Sequence, residues 1–374
     1  MKPLEELREP GLLRKLTRRL SSLRIPAPLT LMEVCGTHTM AIHRAGLPAL
    51  LPRNLRLLSG PGCPVCVTPA EYLDTALAVA REHHVILATF GDMMRVPGAT
   101  GDLAGLRSEG YPVEVMYSPL GALELARENP QQQVVFLAVG FETTAPTVAA
   151  TVKSARECGL GNFSILCAHK LIPPALEALL ADPEIAVDGF VLPGHVSVVL
   201  GSRPYRFVAE KHRRACVITG FEAVDVVQGI LMLVAQLERG EPEVEIQYAR
   251  GVRPEGNARA RALMDEVFTV ADSTWRGFGP ISRSGLRLRE EFAQYDASTR
   301  FPVKLEAQAE PEGCRCGKVV RGKVEPTECP LFARVCTPDN PVGPCMVSSE
   351  GTCAAFYRYS RRERGEKGSG SRLG

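Results

Sequence analysis

Eight short apolar runs, six of them carrying a glycine as the last or next-to-last residue, constrain this chain more tightly than any other feature of its sequence. They are LTLMEVCG (29–36), LRLLSGPG (55–62), HVILATFG (84–91), VEVMYS (113–118), VVFLAVGF (134–141), FSILCAH (163–169), GFVLPGH (189–195) and ACVITGF (215–221). Most are apolar on successive residues rather than alternate ones, so both faces of the strand they form need cover. Parallel strands held between helices meet that need. Helical sequence fills the intervals: Leu12, Leu13, Leu16 and Leu20 near the start, then 69–83, 145–157, 173–180 and 221–237. With four runs on either side of residue 118, the expected fold is α/β, with two parallel-sheet domains. These are 1–118, including the N-terminal helix, and 119–240. VEIQYARGV (244–252) adds a strand and 257–267 a helix, and periodicity fades past Trp275. Residues 241–374 are expected to form a third, irregular domain ending in a disordered basic tail, SRRERGEKGSGSRLG.

A chain of 374 residues accommodates three domains. Its longest stretches without Asp, Glu, Lys or Arg are 14 residues, 57–70 and 189–202, and Gly and Pro interrupt both. A bilayer span needs about 20 apolar residues, so no membrane span is expected. The opening MKPLEELREPGLLRKLTRRL lacks the apolar region of an export signal, and a cytoplasmic location is expected. Net charge is +2, but the ends are basic and the body between them acidic. A nucleic-acid reader concentrates basic residues on its folded surface, so no nucleic-acid partner is expected. The phosphate-loop, dinucleotide and nucleophile-elbow fingerprints are all missing from the sequence.

In open α/β sheets ligands bind beyond the carboxyl ends of the strands, and four loops there carry chemistry. In CGTHTM, Cys35 and His38 converge if a helix starts at Thr37; the alternative is a buried thiol, a capping Thr37 and a bystander His38. In SGPGCPVC, Cys63 and Cys66 form a C-x-x-C inside a loop shaped by Gly60, Pro61, Gly62 and Pro64. That spacing lets two sulfurs share one metal ion or close a small disulfide ring, and it commonly lowers one thiol's pKa. In VGFETTAPT, Glu142 follows a strand and Thr143–Thr144 precede Pro146, which also describes a helix entry with an acid at its positive end. In LPGHVS, His195 follows a strand and Gly194. Cys35, His38, Cys63, Cys66, Glu142 and His195 are therefore the candidate catalytic residues, and the three thiols are also candidate metal ligands. Cys158, Cys167 and Cys216 sit on helix or strand patterns and are expected in the core.

Six of the 12 cysteines crowd between Cys314 and Cys353. Cys314-x-Cys316 is followed at irregular intervals by Cys329, Cys336, Cys345 and Cys353, with no pair of C-x-x-C knuckles such as a zinc ribbon uses. Four thiolates from irregular loops suit a [4Fe–4S] cluster, in which each iron needs one protein ligand. A zinc site of four thiolates is the alternative, and a disulfide scaffold suits an oxidising compartment better. Metal ligation would supply the order that so little periodic apolar sequence leaves wanting.

Taken together, CGTHTMAIHRAG, LLSGPGCPVCVTP, TFGDMMRVPG, GFETTAP, LPGHVSVVLG and CPLFARVCTPDNPVGPCMVSSEGTCAAFY closely resemble the HypD family of [NiFe] hydrogenase maturation factors. They span residues 35–357 in the family's order. The resemblance implies a scaffold on which iron receives two cyanides and one carbon monoxide. It implies as partners the small chaperone HypC, sharing the iron through its own N-terminal Cys, and HypE, delivering cyanide loaded through HypF. It places the iron at Cys35, with His38, Cys63, Cys66, Glu142 and His195 nearby in a cleft between the two α/β domains, and a [4Fe–4S] cluster in the C-terminal domain. Cys329, Cys336, Cys345 and Cys353 are the expected cluster ligands, with Cys316 the first candidate to replace one of them. Cys63 and Cys66 are expected to switch between dithiol and disulfide. Such a chain is an assembly scaffold with redox-active thiols rather than a conventional turnover enzyme. A stand-alone iron–sulfur thiol–disulfide oxidoreductase is the competing reading.

Overall fold

The structure, a computed structural model, describes residues 10–23, 25, 27–305 and 311–360; residues 361–374 of the basic tail lie outside them. All eight apolar runs contain strands: β1 (Leu29–Glu33), β2 (Leu55–Ser59), β3 (Ile86–Thr89), β4 (Val113–Val115), β5 (Val134–Ala138), β6 (Phe163–Cys167), β7 (Gly189–Pro193) and β8 (Ala215–Thr219). Every residue of β3, β5, β7 and β8 is buried, as strands covered on both faces must be. A short β9 (Val244–Ile246) completes the parallel set. Eight helices of nine or more residues are described: α1 (Pro10–Ser21), α2 (Gly36–Arg44), α3 (Ala70–His83), α4 (Pro119–Glu128), α5 (Ala145–Glu157), α6 (Ile172–Leu180), α7 (Ala223–Arg239) and α8 (Ala258–Val267). Among the described residues no helix is long and apolar enough to cross a membrane.

The strands form two parallel sheets, and their membership cuts across the expected boundary at 118. One sheet has the order β2-β1-β7-β8-β9 and the other β4-β3-β5-β6. The chain lays down β1 and β2, leaves to build all four strands of the second sheet, and returns to set β7 directly beside β1, with Met32 opposite Phe190. The division into 1–118 and 119–240 therefore does not describe the strand pairing. The physical reason is that a continuous apolar run marks a doubly covered strand without naming its neighbour. Pairing across about 160 residues is decided by tertiary packing, which the order of runs does not encode.

Helices α1 and α7 cover one face of the first sheet, packing Leu20, Val226, Ile230 and Leu233 on Leu31, Val191 and Val217. Helices α4 and α5 cover one face of the second, with Ala122, Leu123, Val148 and Val152 on Val134 and Phe136. At about 1.5–3 kcal/mol for each large aliphatic side chain fully buried, these faces dominate the stability. The opposite faces share one continuous apolar cluster, in which Met32, Phe190 and Ile218 of the first sheet join Leu87, Val135 and Leu137 of the second. Cys316, Val319, Cys336, Cys345, Met346 and Cys353 belong to the same cluster. The Cys-rich segment thus completes the core of the sheets instead of building its own, which its helices of four residues could not do.

Past Trp275 the chain is more regular than its sequence suggests. An antiparallel hairpin, β10 (Phe268–Trp275) and β11 (Gly279–Leu288), pairs Phe268 with Leu288 and shifts register between Ala271 and Ser273. Trp275 is fully buried and its indole N–H donates to Ser284 Oγ at 2.9 Å. Arg283, Arg287 and neighbouring polar residues break the apolar run of β11 because much of that strand faces solvent.

Candidate functional site

Cys35 sits where β1 turns into α2. It is the N-cap residue, extended at φ −152°, so its thiol lies at the start of the helix near the backbone N–H groups of Thr37 and His38. Those groups favour the thiolate, yet burial dominates and pushes the thiol up to about 12. Just before it, Glu33 is buried: Oε2 accepts from the Cys35 N–H at 2.9 Å, and Oε1 accepts from the Thr39 hydroxyl. Burial raises the Glu33 carboxyl to about 7. An acid inside the apolar run LTLMEVCG was the available signal for this residue, and sequence reasoning passed over it.

The loop after β2 lies directly on Cys35. Gly36 N–H donates to Gly62 O at 2.9 Å, and a Cβ on Gly62 would fall 2.2 Å from Cys35 N and 2.4 Å from its Cα. Only glycine permits that approach. The next residues form a single turn capped by Cys63, whose sulfur accepts from the Cys66 N–H at 3.1 Å. Cys63 and Cys66 are joined in a disulfide, and both are buried. Of the two outcomes open to this C-x-x-C, the structure adopts the ring.

These elements border a cavity of about 300 Å³ at the carboxyl ends of strands from both sheets. Cys35, Gly62 and Pro64 line one part, Phe141 and Thr144 another, and His195 a third. His195 is exposed, and its ring stacks on Phe221 at 3.7 Å. His38 does not reach this cavity. It is fully buried behind Phe221 (ring centroids 5.1 Å apart), and its Nε2 lies 2.9 Å from Gly220 O and 3.0 Å from Thr219 Oγ1. Burial lowers it to about 4, so the ring is neutral and donates to the Gly220 carbonyl. His38 thereby ties α2 to the end of β8 and backs the ring on which His195 stacks.

Glu142 also turns away from the cavity that Phe141 and Thr143 line. Its Oε1 accepts from the Ile172 N–H at 2.9 Å, at the first residue of α6, and Oε2 has no partner among the described residues. Burial pushes the carboxyl up to about 8. The unfolded group ionises near 4.5 while the folded one holds its proton, so stability falls as pH rises between those values. Glu142→Gln should flatten that slope and raise stability at pH 8 by about 2–3 kcal/mol. Denaturant unfolding of both proteins at pH 4.5 and pH 8 checks this, and equal slopes would contradict it.

Two further pairs of polar residues border the cavity. Asp92 accepts from the Ser348 hydroxyl at 3.1 Å, and Glu350 accepts from the Thr37 hydroxyl at 2.6 Å. Ser348 and Glu350 come from the Cys-rich segment, which therefore reaches back to the helix carrying Cys35. The stretches GDMMRVPG and SSEGTC stood out in the sequence, but nothing in them assigned roles to these side chains.

Within that segment Cys316, Cys336, Cys345 and Cys353 are buried, while Cys329 is half-exposed. The Cys316 and Cys345 sulfurs are 2.7 Å apart, and Cys353 hydrogen-bonds to Cys345. Cys336 lies close enough to feel both Cys353 and Cys316. The Cys329 thiol donates to Gly313 O at 3.9 Å and lies close enough to Cys314 to raise it. Hydrogen bonds from Cys314 and Cys345 pull Cys316 well below the usual thiol range. As they stand the sulfurs touch one another, and among the described residues no set of three or more His, Cys, Asp or Glu is disposed around a metal position. Their chemistry nonetheless fits an iron–sulfur cluster, as four buried thiols on irregular loops with apolar walls. The contacts group Cys316, rather than Cys329, with the other three.

Comparison with known proteins agrees with the motifs. The HypD family model, described as "Hydrogenase formation hypA family", matches residues 11–360. The chain is 47% identical over 371 residues to the hydrogenase expression/formation protein HupD of Azotobacter chroococcum mcd 1, covering 97% of this chain and 98% of that one. It is 47% identical to the hydrogenase maturation factor HypD of Azotobacter vinelandii over the same span. Against that of Escherichia coli (strain K12) it is 44% identical over 370 residues, covering 97% of this chain and 99% of that one.

Proposed function

The chain belongs to the HypD family of hydrogenase maturation factors, and on that premise we propose that it holds iron at Cys35 while the Fe(CN)2CO group is assembled. The observation that carries this is the convergence of Cys35, the loop of the Cys63–Cys66 disulfide and His195 on one cavity. Thiolate is a soft donor matched to low-valent iron bearing cyanide and carbonyl ligands, and binding displaces the Cys35 proton. HypC shares the iron through its own N-terminal Cys, and HypE, loaded through HypF, delivers cyanide. His195 stands at the cavity wall, and its imidazole N–H would supply a hydrogen bond to a ligand of the bound iron. His38 and Glu142 act at one remove, fixing the ring behind His195 and the start of α6. In this reading the two sheets are two α/β domains with the cavity in the cleft between them, and the Cys-rich segment is a third, iron–sulfur domain. The protein works in the cytoplasm.

Cys316, Cys336, Cys345 and Cys353 are the residues that would hold the [4Fe–4S] cluster, with Cys314 and Cys329 left outside. When bound, such a cluster supplies one-electron transfer. The Cys63–Cys66 disulfide opens by taking up two electrons and two protons and returns them on closing, beside the iron ligand. Its burial argues against the competing reading of a stand-alone oxidoreductase, since a protein disulfide substrate needs an accessible sulfur. Cys66→Ser, which blocks ring closure, should lower hydrogenase activity in cells lacking their own factor by about two orders of magnitude without unfolding the protein. Full activity of that variant would remove thiol switching from the account.

A further inference from the structure

The tip of the β10–β11 hairpin is wedged between the disulfide turn and the Cys-rich segment, and it carries a buried cation. Arg276 is only 5% exposed. Its backbone N–H donates to Val67 O at 2.7 Å and its Nε–H to Thr68 O at 3.2 Å, the two residues that close the turn begun at Cys63. On the other side, Gly277 adopts a left-handed φ of 84° and lies so close to the Cys-rich segment that a Cβ there would collide with Gly317 O. Gly317 follows Cys316 in the turn Cys316–Val319. A second turn of that segment, Pro344–Val347 with Cys345, packs on the disulfide turn Pro64–Val67. The disulfide and the clustered thiols are therefore neighbours, and Arg276 is fastened to the backbone of one while its successor presses on the other.

The guanidinium also lies close enough to act on Cys316. After the hydrogen bonds from Cys314 and Cys345, its positive charge helps to hold that thiol below the usual range. Burying a full charge is unfavourable, and a neutral amide side chain could donate to the Thr68 carbonyl without one. The charge has a use at this place. Reduction adds a negative charge to an iron–sulfur cluster, so a cation held beside it in a dry interior favours the reduced state. We propose that Arg276 sets the reduction potential of the cluster held by the Cys-rich segment, raising it by keeping one positive charge beside Cys316. The proposal rests on the iron–sulfur reading of that segment and adds to it a residue that holds no iron.

Potentiometric titration of the anaerobically isolated holoprotein, followed by electron paramagnetic resonance of the reduced cluster, tests this. In Arg276→Gln the ratio of reduced to oxidised cluster at a fixed potential is expected to fall about tenfold, a downward shift of about 59 mV for one electron. A carboxylate paired with the guanidinium would be left uncompensated by the same change and would deepen the fall. Arg276→Lys keeps the charge but loses the planar fork, and its ratio is expected within about threefold of wild type. Should Arg276→Gln fail to assemble its cluster, Arg276→Lys carries the test, and a tenfold fall in that variant would count against the charge. An unmoved potential in Arg276→Gln, or an equal fall in both variants, would overturn the proposal and leave the iron–sulfur reading standing. Wild-type protein that binds no iron and sulfide would overturn that reading, and the proposal with it.

Discussion

The Cys35→Ala protein is expected to fold, to keep its cluster thiols, and to support no hydrogenase maturation. Cys35 is buried and its protonated thiol packs as a small apolar group, so truncation removes one sulfur's contacts and costs about 1 kcal/mol. Glu33 would still accept from the backbone N–H at residue 35, because that bond does not involve the side chain. Iron, by contrast, would lose the donor placed at the cavity wall. Hydrogenase activity in cells lacking their own factor should fall by more than about two orders of magnitude, with the melting temperature within a few degrees of wild type. The same variant separates the two functional readings. A stand-alone oxidoreductase would reduce its disulfide substrate without Cys35 and fail without Cys63, whereas an assembly scaffold fails without either.

Gly62→Ala is expected to disable the site by a different route. The new methyl would meet the Cys35 N at 2.2 Å, the Cys35 Cα at 2.4 Å and the Val34 carbonyl carbon at 2.5 Å. All three are backbone atoms, two of them in the residue that caps α2, so no rotamer change relieves the contact. Either the loop lifts from β1 or the β1–α2 junction moves, and the Gly36 N–H bond to Gly62 O is lost in both cases. A loss of about 3 kcal/mol or more in denaturant unfolding is expected, at the upper end of overpacking costs. Because the displaced loop carries Cys63 and Cys66, maturation should fail even at temperatures where the variant remains folded. A change below about 1 kcal/mol would mean that the junction yields more easily than its hydrogen bonds indicate.

Much of this architecture was legible in the sequence because the relevant constraints are local. The strands announce themselves by apolar runs, and the approach of residue 62 to Cys35 is foreshadowed by Gly60-Pro61-Gly62. What stayed hidden depends on direction and distance. Glu142 was correctly read as following a strand. Whether its carboxyl enters the cavity or turns to Ile172 is settled by side-chain geometry that spacing does not carry. His38 lies in the helix expected from CGTHTM, yet its ring turns toward the end of β8 instead of the cavity. The order β1-β7 rests on contacts between residues far apart in the chain, and so does the reach of Glu350 to Thr37. Cys316 and Cys329 illustrate the same limit: Cys329 opens the contiguous run that continues through Cys336, Cys345 and Cys353, whereas packing puts Cys316 against Cys345. The hairpin strand β11 escaped notice because one of its faces is wet and its arginines look like loop sequence.

The central claim, that iron carrying cyanide and carbon monoxide resides on Cys35 in this cavity, is tested most directly by infrared spectroscopy. The measurement is made on the anaerobically isolated complex with HypC, from cells in which HypE and HypF are active. The account predicts absorption bands of iron-bound cyanide and iron-bound carbon monoxide in the wild-type complex and their loss in Cys35→Ala. A wild-type complex showing neither band, or a Cys35→Ala complex retaining both, would contradict it.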